Sequence, residues 1–377
     1  MNKKNILRNP GLQTLIASLL CILIGILIGY IVLLVINAEG AGAAIAAILK
    51  NFLTYPTKEM AMQYFGSTLV KSVPLLMCSL SILFAYKVGL FNIGASGQYT
   101  AGACVALFLA LKCHAPWYVC TLAALIAGVL MGAIAGALKA YLNVNEVIAC
   151  IMLNWIMLYT TNTVLSGVKD SSNYTMPLKG SYTIALLPSL GLGKLFSDNK
   201  YVTMALPLSV ILAILVWVVL EKTKLGYELK ATGFNKHAAK YSGMREKKNT
   251  ILTMGIAGGL AGLGAAFYYL TGIEQWACSQ TSVPGMGFNG IAAAFLGGLS
   301  PIGCIFSSFF IQHITSGGSY VDKSVFCSQI SDLITAIIIY ICGFVLIFRV
   351  LLNRFLDIQE EKKKAKTPIT DEKGGEQ

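Results

Sequence analysis

A chain of 377 residues that is 56% hydrophobic and only 12% charged, with mean hydropathy +0.69, has about half the charge of an ordinary soluble domain. That balance excludes disordered and collagen-like chains and leaves too little charge to cover a water-soluble globule. The net charge of +12 gathers in three short stretches, 1–10, 221–250 and 349–373, the pattern of loops on one side of a bilayer and not a nucleic-acid footprint.

The predicted elements follow in chain order. Residues 1–11 carry Lys3, Lys4 and Arg8 ahead of an apolar run over 12–37. That run is longer than a signal-peptide core and long enough to cross about 30 Å of hydrocarbon, so it reads as an uncleaved first span. Further spans are expected near 65–86, 92–112, 117–139, 147–167, 201–220, 250–271, 287–300, 302–318 and 326–348. Residues 287–318 also fit one long reentrant feature, because Pro301 disfavours helix at Ser300.

The fold expected is an all-α polytopic bundle of about ten transmembrane helices spanning 12–350. With 1–10 inside, the inward loops and tails hold 20 of the 29 Lys and Arg, which places both termini in the cytoplasm. Loops 38–63 and 168–200 then face outward. The coupling loop 221–250 and the tail 351–377 face inward, the tail as a solvated, mobile end.

Several polar residues stand out from this background. Glu146 is the single acid between Met60 and Lys169. An ionisable group near membrane depth is a functional candidate, although Asn145 also fits as a helix cap with Glu146 at the positive N-terminus. Phe91-Asn92-Ile93-Gly94-Ala95-Ser96-Gly97-Gln98 interrupts two apolar runs. It fits either irregular backbone lining a cavity or a tight cytoplasmic turn.

Asn154 sits within an apolar span, where it fits packing against a neighbouring helix or facing a polar solute. Phe288-Asn289 opens a second glycine-rich span, as Phe91-Asn92 opens the first, a pattern compatible with an internal repeat. Neutral amides such as Asn92, Gln98, Asn154 and Asn289, with Ser96, suit an uncharged hydrogen-bonding solute better than an ion.

In the polar stretch, Asn235 is a good N-cap and Gly243 a good C′ residue, framing a short helix. Between them Lys236, Ala238, Ala239 and Lys240 suit docking into a partner's groove, with Gly233 just upstream. Gly191-Leu192-Gly193-Lys194-Leu195 is not a phosphate-binding loop, because Leu195 replaces the required hydroxyl. The ten cysteines form no C-x-x-C pair, and the three histidines give a metal site little to build from. No catalytic constellation or cofactor motif is present, so the chain is not expected to be an enzyme. If the chain moves a solute and that movement is energised, a separate subunit must supply the energy.

The segments 91–98, Asn145-Glu146-Val147 with Met152-Leu153-Asn154, 226–243, and 287–291 with Pro301-Ile302-Gly303 together resemble the permease subunits of ABC importers in the branched-chain amino acid and simple-sugar permease family. The resemblance covers roughly 60–350 and is nearest the subgroup that handles nucleosides. It implies half of a pore in a bacterial cytoplasmic membrane, a second and shorter permease, cytoplasmic ATPase subunits and an extracytoplasmic binding lipoprotein. It also implies that 233–243 supplies the coupling helix. Where the family often has Glu, this chain has Ser96. A permease for a simple sugar such as ribose is the nearest alternative, and a self-sufficient ion-coupled carrier is the alternative of another class.

Overall fold

Apolar runs bounded by caps and prolines become helices here. The computed structural model describes residues 10–322, 324–327 and 330–366. Expectations resting on Lys3, Lys4 and Arg8, and on the tail after Lys366, lie outside the described residues. Fourteen α-helices follow one another among the described residues. They are α1 (Pro10–Ile36), α2 (Ala38–Lys50), α3 (Lys58–Lys87), α4 (Ala95–Lys112), α5 (Trp117–Leu142), α6 (Glu146–Leu165) and α7 (Ala205–Lys222). After these come α8 (Lys224–Phe234), α9 (Lys236–Tyr241), α10 (Glu246–Tyr269), α11 (Met286–Leu296), α12 (Pro301–Gly317), α13 (Ile330–Cys342) and α14 (Val345–Lys366).

Six of these helices, α1, α3, α5, α6, α7 and α10, are long and apolar enough to cross a membrane. The chain is thus an all-helical, multi-pass membrane protein. Helix α4 falls below that threshold because it is rich in Gly, Ala, Ser and Thr, and α11 and α12 are short.

Burial sorts the helices into an inner and an outer set. The most apolar windows of α3 and α10 are 89% and 78% buried, against 22% for α1. Lipid-facing helices leave their aliphatic side chains outside, as Leu122, Ile126, Leu130 and Ile134 do on α5. The inner contact of α5 is made by small residues instead. A Cβ added at Gly128 or Gly132 would overlap the carbonyl oxygens of Gly258 and Met254 on α10. Apolar tails compete with apolar side chains on equal terms, so close backbone packing is what holds such a helix pair together.

Several expectations change. Residues 38–63 are not an open loop. Asn37 caps α2 by accepting from the Gly40 N–H at 3.1 Å, and Ala41, Ala44 and Ile48 bury one face of it. A 3₁₀ turn over Asn51–Thr54 leads to α3, which starts at Lys58, seven residues before the expected 65. The stretch 287–318 is two helices, with Pro301 in the first turn of the second, where its missing N–H costs nothing. The expected span 326–348 is broken between Cys342 and Val345, and helical backbone continues to Lys366.

Candidate functional site

Residues 91–94 are irregular backbone leading into the first turn of α4, and the polar side chains of this segment are buried. Asn92, Ser96 and Gln98 are each at most 2% exposed. The two amides form a closed ring. Asn92 Nδ2 donates to Gln98 Oε1 at 2.8 Å, Gln98 Nε2 returns a bond to Asn92 Oδ1 at 3.0 Å, and Asn92 also donates to Ser81 Oγ at 3.0 Å. Asn154, two turns into α6, accepts from the Gly97 N–H at 2.8 Å and donates to the Ile93 carbonyl at 3.1 Å. Backbone that leaves the helix inside a membrane protein needs such side-chain partners.

This knot reaches one further element. Ser96 Oγ donates to the Pro284 carbonyl at 3.1 Å, and Gly287 packs so closely on Ser96 that any Cβ there would overlap it. The two Phe-Asn segments noticed in sequence therefore meet in space. Just beyond lies a cavity of about 360 Å³, lined by Tyr99, Tyr174, Tyr268, Tyr269, Glu274 and Asn289 among others. A neighbouring cavity of about 300 Å³ shares Tyr174, Tyr269 and Glu274.

The tyrosines come from separate elements. Tyr99 stands on α4, while Tyr268 and Tyr269 end α10. The Tyr99 and Tyr269 rings lie 6.1 Å apart, and Tyr268 donates its hydroxyl to Glu274 Oε2 at 2.9 Å. Trp276 anchors the connection after α10. Its Nε1–H donates to Asn162 Oδ1 at 2.9 Å, and Asn162 Nδ2 donates to the Gln280 carbonyl at 2.8 Å. The loop between α6 and α7 is stitched to the same connection, with the Thr175 N–H donating to the Trp276 carbonyl at 2.9 Å. Next to Tyr174, the Ser172 hydroxyl and the N–H groups of Ser172 and Tyr174 hold the Asp170 carboxyl below the usual carboxylate range. The Tyr99 and Tyr269 rings are tilted and Tyr268 meets Tyr269 edge to face, so the wall combines aromatic surface with a rim of carboxylate and amide groups, the mixture typical of small-molecule sites.

Of the expected pathway residues, Asn92, Ser96, Gln98 and Asn154 come together in the knot, and Asn289 lines the cavity. Asn145 and Glu146 stand apart. Asn145 caps α6 by accepting from the Val147 N–H at 2.9 Å, and Glu146 pairs with Lys139 at 2.8 Å.

Sequence reasoning missed the tyrosines and Glu274. One signal was present: Glu274 is the single acid between Glu246 and Asp322, the same isolation that singled out Glu146.

At the other end of α10, the short helix appears where its caps place it. Asn235 accepts from the Ala238 N–H at 3.0 Å. Gly243, at φ +79°, donates to Lys240 while Met244 donates to Ala239, both at 3.0 Å, which closes the C-terminus. Ala239 is buried, Ala238 and Lys240 are exposed, and Lys236 approaches Glu246 at 3.6 Å. Phe234 and Tyr241 flank the helix at 96% and 94% exposure. Two large aromatics left that bare mark a contact surface.

Residues 64–343 match the family described as branched-chain amino acid transport system / permease component. The guanosine ABC transporter permease protein NupP of Bacillus subtilis is 32% identical over 334 residues, which is 87% of this chain and 92% of the relative. The nucleoside ABC transporter permease protein NupB of Lactococcus lactis is 33% identical over 77% of this chain and 81% of its own length. A second guanosine ABC transporter permease protein of B. subtilis, NupQ, is 27% identical over 65% of this chain and 78% of its own. No solved structure matches.

Proposed function

The chain belongs to the branched-chain amino acid transport system / permease component family, and on that premise we propose that it is the permease subunit of an ABC importer for nucleosides. It carries no ATPase activity of its own; hydrolysis belongs to separate subunits. The observation that carries the substrate class is the tyrosine-lined cavity of about 360 Å³. Its size falls within the range of small-molecule sites, roughly 300–1,000 Å³. The exposed ring of Tyr174 offers a face to a base, with Tyr268 and Tyr269 in the wall beside it, and Glu274 and Asn289 offer acceptors and donors to ribose hydroxyls and base edges. A free sugar such as ribose would use the polar rim but leave the aromatic faces idle, so nucleoside is the better fit.

Ser96, Asn92, Gln98 and Asn154 form the floor of the pathway and hold it in shape, while Asn289 faces the solute. Asn145 and Glu146 fix the α5–α6 junction. The chain crosses the cytoplasmic membrane of a bacterium about ten times, the six long helices being joined by α4, α11, α12 and α13. Both termini lie inside, as the distribution of Lys and Arg supports.

Helix α9, with Phe234 and Tyr241 on either side, docks on a cytoplasmic ATPase. The occurrence of both NupP and NupQ in one organism supports a second, paralogous permease completing the pathway. A binding lipoprotein delivers solute from outside. ATP binding closes the ATPases, α9 moves with them, and the cavity changes the side to which it opens.

Affinity purification of the tagged chain from its native membrane tests this directly. Recovery of a second permease and an ATPase in stoichiometric amounts is expected. Recovery of the chain alone, still active in uptake, would replace the importer with a self-sufficient carrier.

A further inference from the structure

The end of α3 and the end of α8 touch backbone to backbone. Helix α3 closes with the Leu90 N–H donating to the Ala85 carbonyl and the Gly89 N–H to the Tyr86 carbonyl, both at 3.0 Å. Gly89 takes φ +74° in that closure, a conformation glycine adopts without steric cost. Gly233, next to last in α8, lies directly on it. A Cβ at Gly233 would overlap the Val88 carbonyl and stand 2.9 Å from Gly89 N, and a Cβ at Gly89 would stand 2.8 Å from the Gly233 carbonyl oxygen. No side chain separates the two strands of backbone, so no rotamer change can absorb a displacement of one against the other.

The position of this contact in the chain gives it consequence. On one side, a single residue, Phe234, separates Gly233 from Asn235, the cap of α9. On the other, two residues separate Gly89 from Asn92, the first member of the amide ring. The ring, the Ser81 bond and the Asn154 bonds make 91–98 a single body. Through Ser96, that body holds Pro284 and the first turn of α11, which supply Gly285, Met286 and Asn289 to the cavity. The Thr232–Asn249 bond at 2.8 Å ties α8 to the first turn of α10, and Lys236 of α9 approaches Glu246 of that same turn.

We infer that the Gly89–Gly233 contact passes movement of the docking helix α9 to the floor of the tyrosine cavity, with both glycines acting as positioning residues. This rests on the reading of α9 as the ATPase-docking helix. Displacing α9 carries Gly233. Gly233 pushes or releases 88–98 as a body, and Ser96 shifts the start of α11 beneath the bound solute.

The test uses the assembled importer, with its second permease and ATPase, in lipid nanodiscs. Amide hydrogen exchange is compared without nucleotide and with ATP under non-hydrolysing conditions. Exchange over 233–243, 88–98 and 284–289 should change together. A response at 233–243 with none at 88–98 overturns the inference alone. Absence of any response at 233–243 removes the docking reading, and the inference falls with it.

Variants sharpen the result. Gly89→Ala and Gly89→Asn should each lower guanosine transported per ATP hydrolysed about tenfold, within the usual range of coupling between sites. Guanosine affinity measured without ATP should stay within about twofold. Asn tolerates positive φ, so if backbone strain alone mattered, Gly89→Asn would transport as the unaltered protein does; that outcome overturns the contact's role. If neither variant assembles, the exchange measurement on the unaltered importer still decides.

Discussion

Replacing Asn154 with Ala separates holding the pathway floor from touching the solute. The residue is 2% exposed and makes two bonds, accepting from the Gly97 N–H at 2.8 Å and donating to the Ile93 carbonyl at 3.1 Å. Alanine leaves both backbone groups buried without a partner. Each costs about 1–3 kcal/mol in that state, so the folded protein loses about 2–6 kcal/mol. Asn154→Asp keeps the acceptor for Gly97 but loses the donor and adds a charge in an apolar setting, so it should be no better.

The assay is thermal unfolding of the purified chain together with guanosine binding, normalised to folded protein. Asn154→Ala should lower the midpoint by several degrees, roughly 2–4 °C per kcal/mol for a chain of this order of size. Affinity per folded molecule should hold. An unchanged midpoint with weakened guanosine binding would refute the reasoning and make Asn154 a solute contact.

Other outcomes follow from the same contacts. In the amide ring, the double variant Asn92→Ala, Gln98→Ala should lose uptake and unfold early, because Ser81 loses its partner and Asn92 is no longer tied to α4; normal uptake would remove the ring from the pathway. Tyr269→Ala should weaken guanosine binding by about tenfold, the loss of one aromatic contact of roughly 1–1.5 kcal/mol, while Tyr269→Phe should bind nearly as well; equal loss in both would point to the hydroxyl and not the ring. Phe234→Ala with Tyr241→Ala should release the ATPase, each truncation costing about 1–2 kcal/mol of association, with unchanged guanosine binding by the permease; normal copurification of the ATPase would refute the docking surface.

The sequence was most legible where a few neighbouring residues decide the structure. Asn235 and Gly243 define α9 because caps act within one turn. The amide-rich break at 91–98 was visible as a break, but its ring closes over six residues and its other partners lie on α6 and before α11. The cavity was not legible. Tyr99, Tyr174, Tyr269 and Asn289 converge only when α4, the α6–α7 loop, α10 and α11 are packed, and tyrosine in an apolar run reads as core. Helix α2 was missed because at 13 residues it is too short for a span; its apolar face of Ala41, Ala44 and Ile48 and the Asn37 cap were the usable signals. The break after Cys342 was hidden inside a continuous apolar run, where Gly343 alone marks it.

The central claim is ATP-driven nucleoside import through this chain. Uptake of labelled guanosine, adenosine, uridine and ribose, in cells with and without the gene and before and after ATP depletion, tests it most directly. The account predicts that deletion and ATP depletion each abolish nucleoside uptake and leave ribose uptake unaffected. Gene-dependent uptake that survives ATP depletion with the ion gradient intact would contradict it.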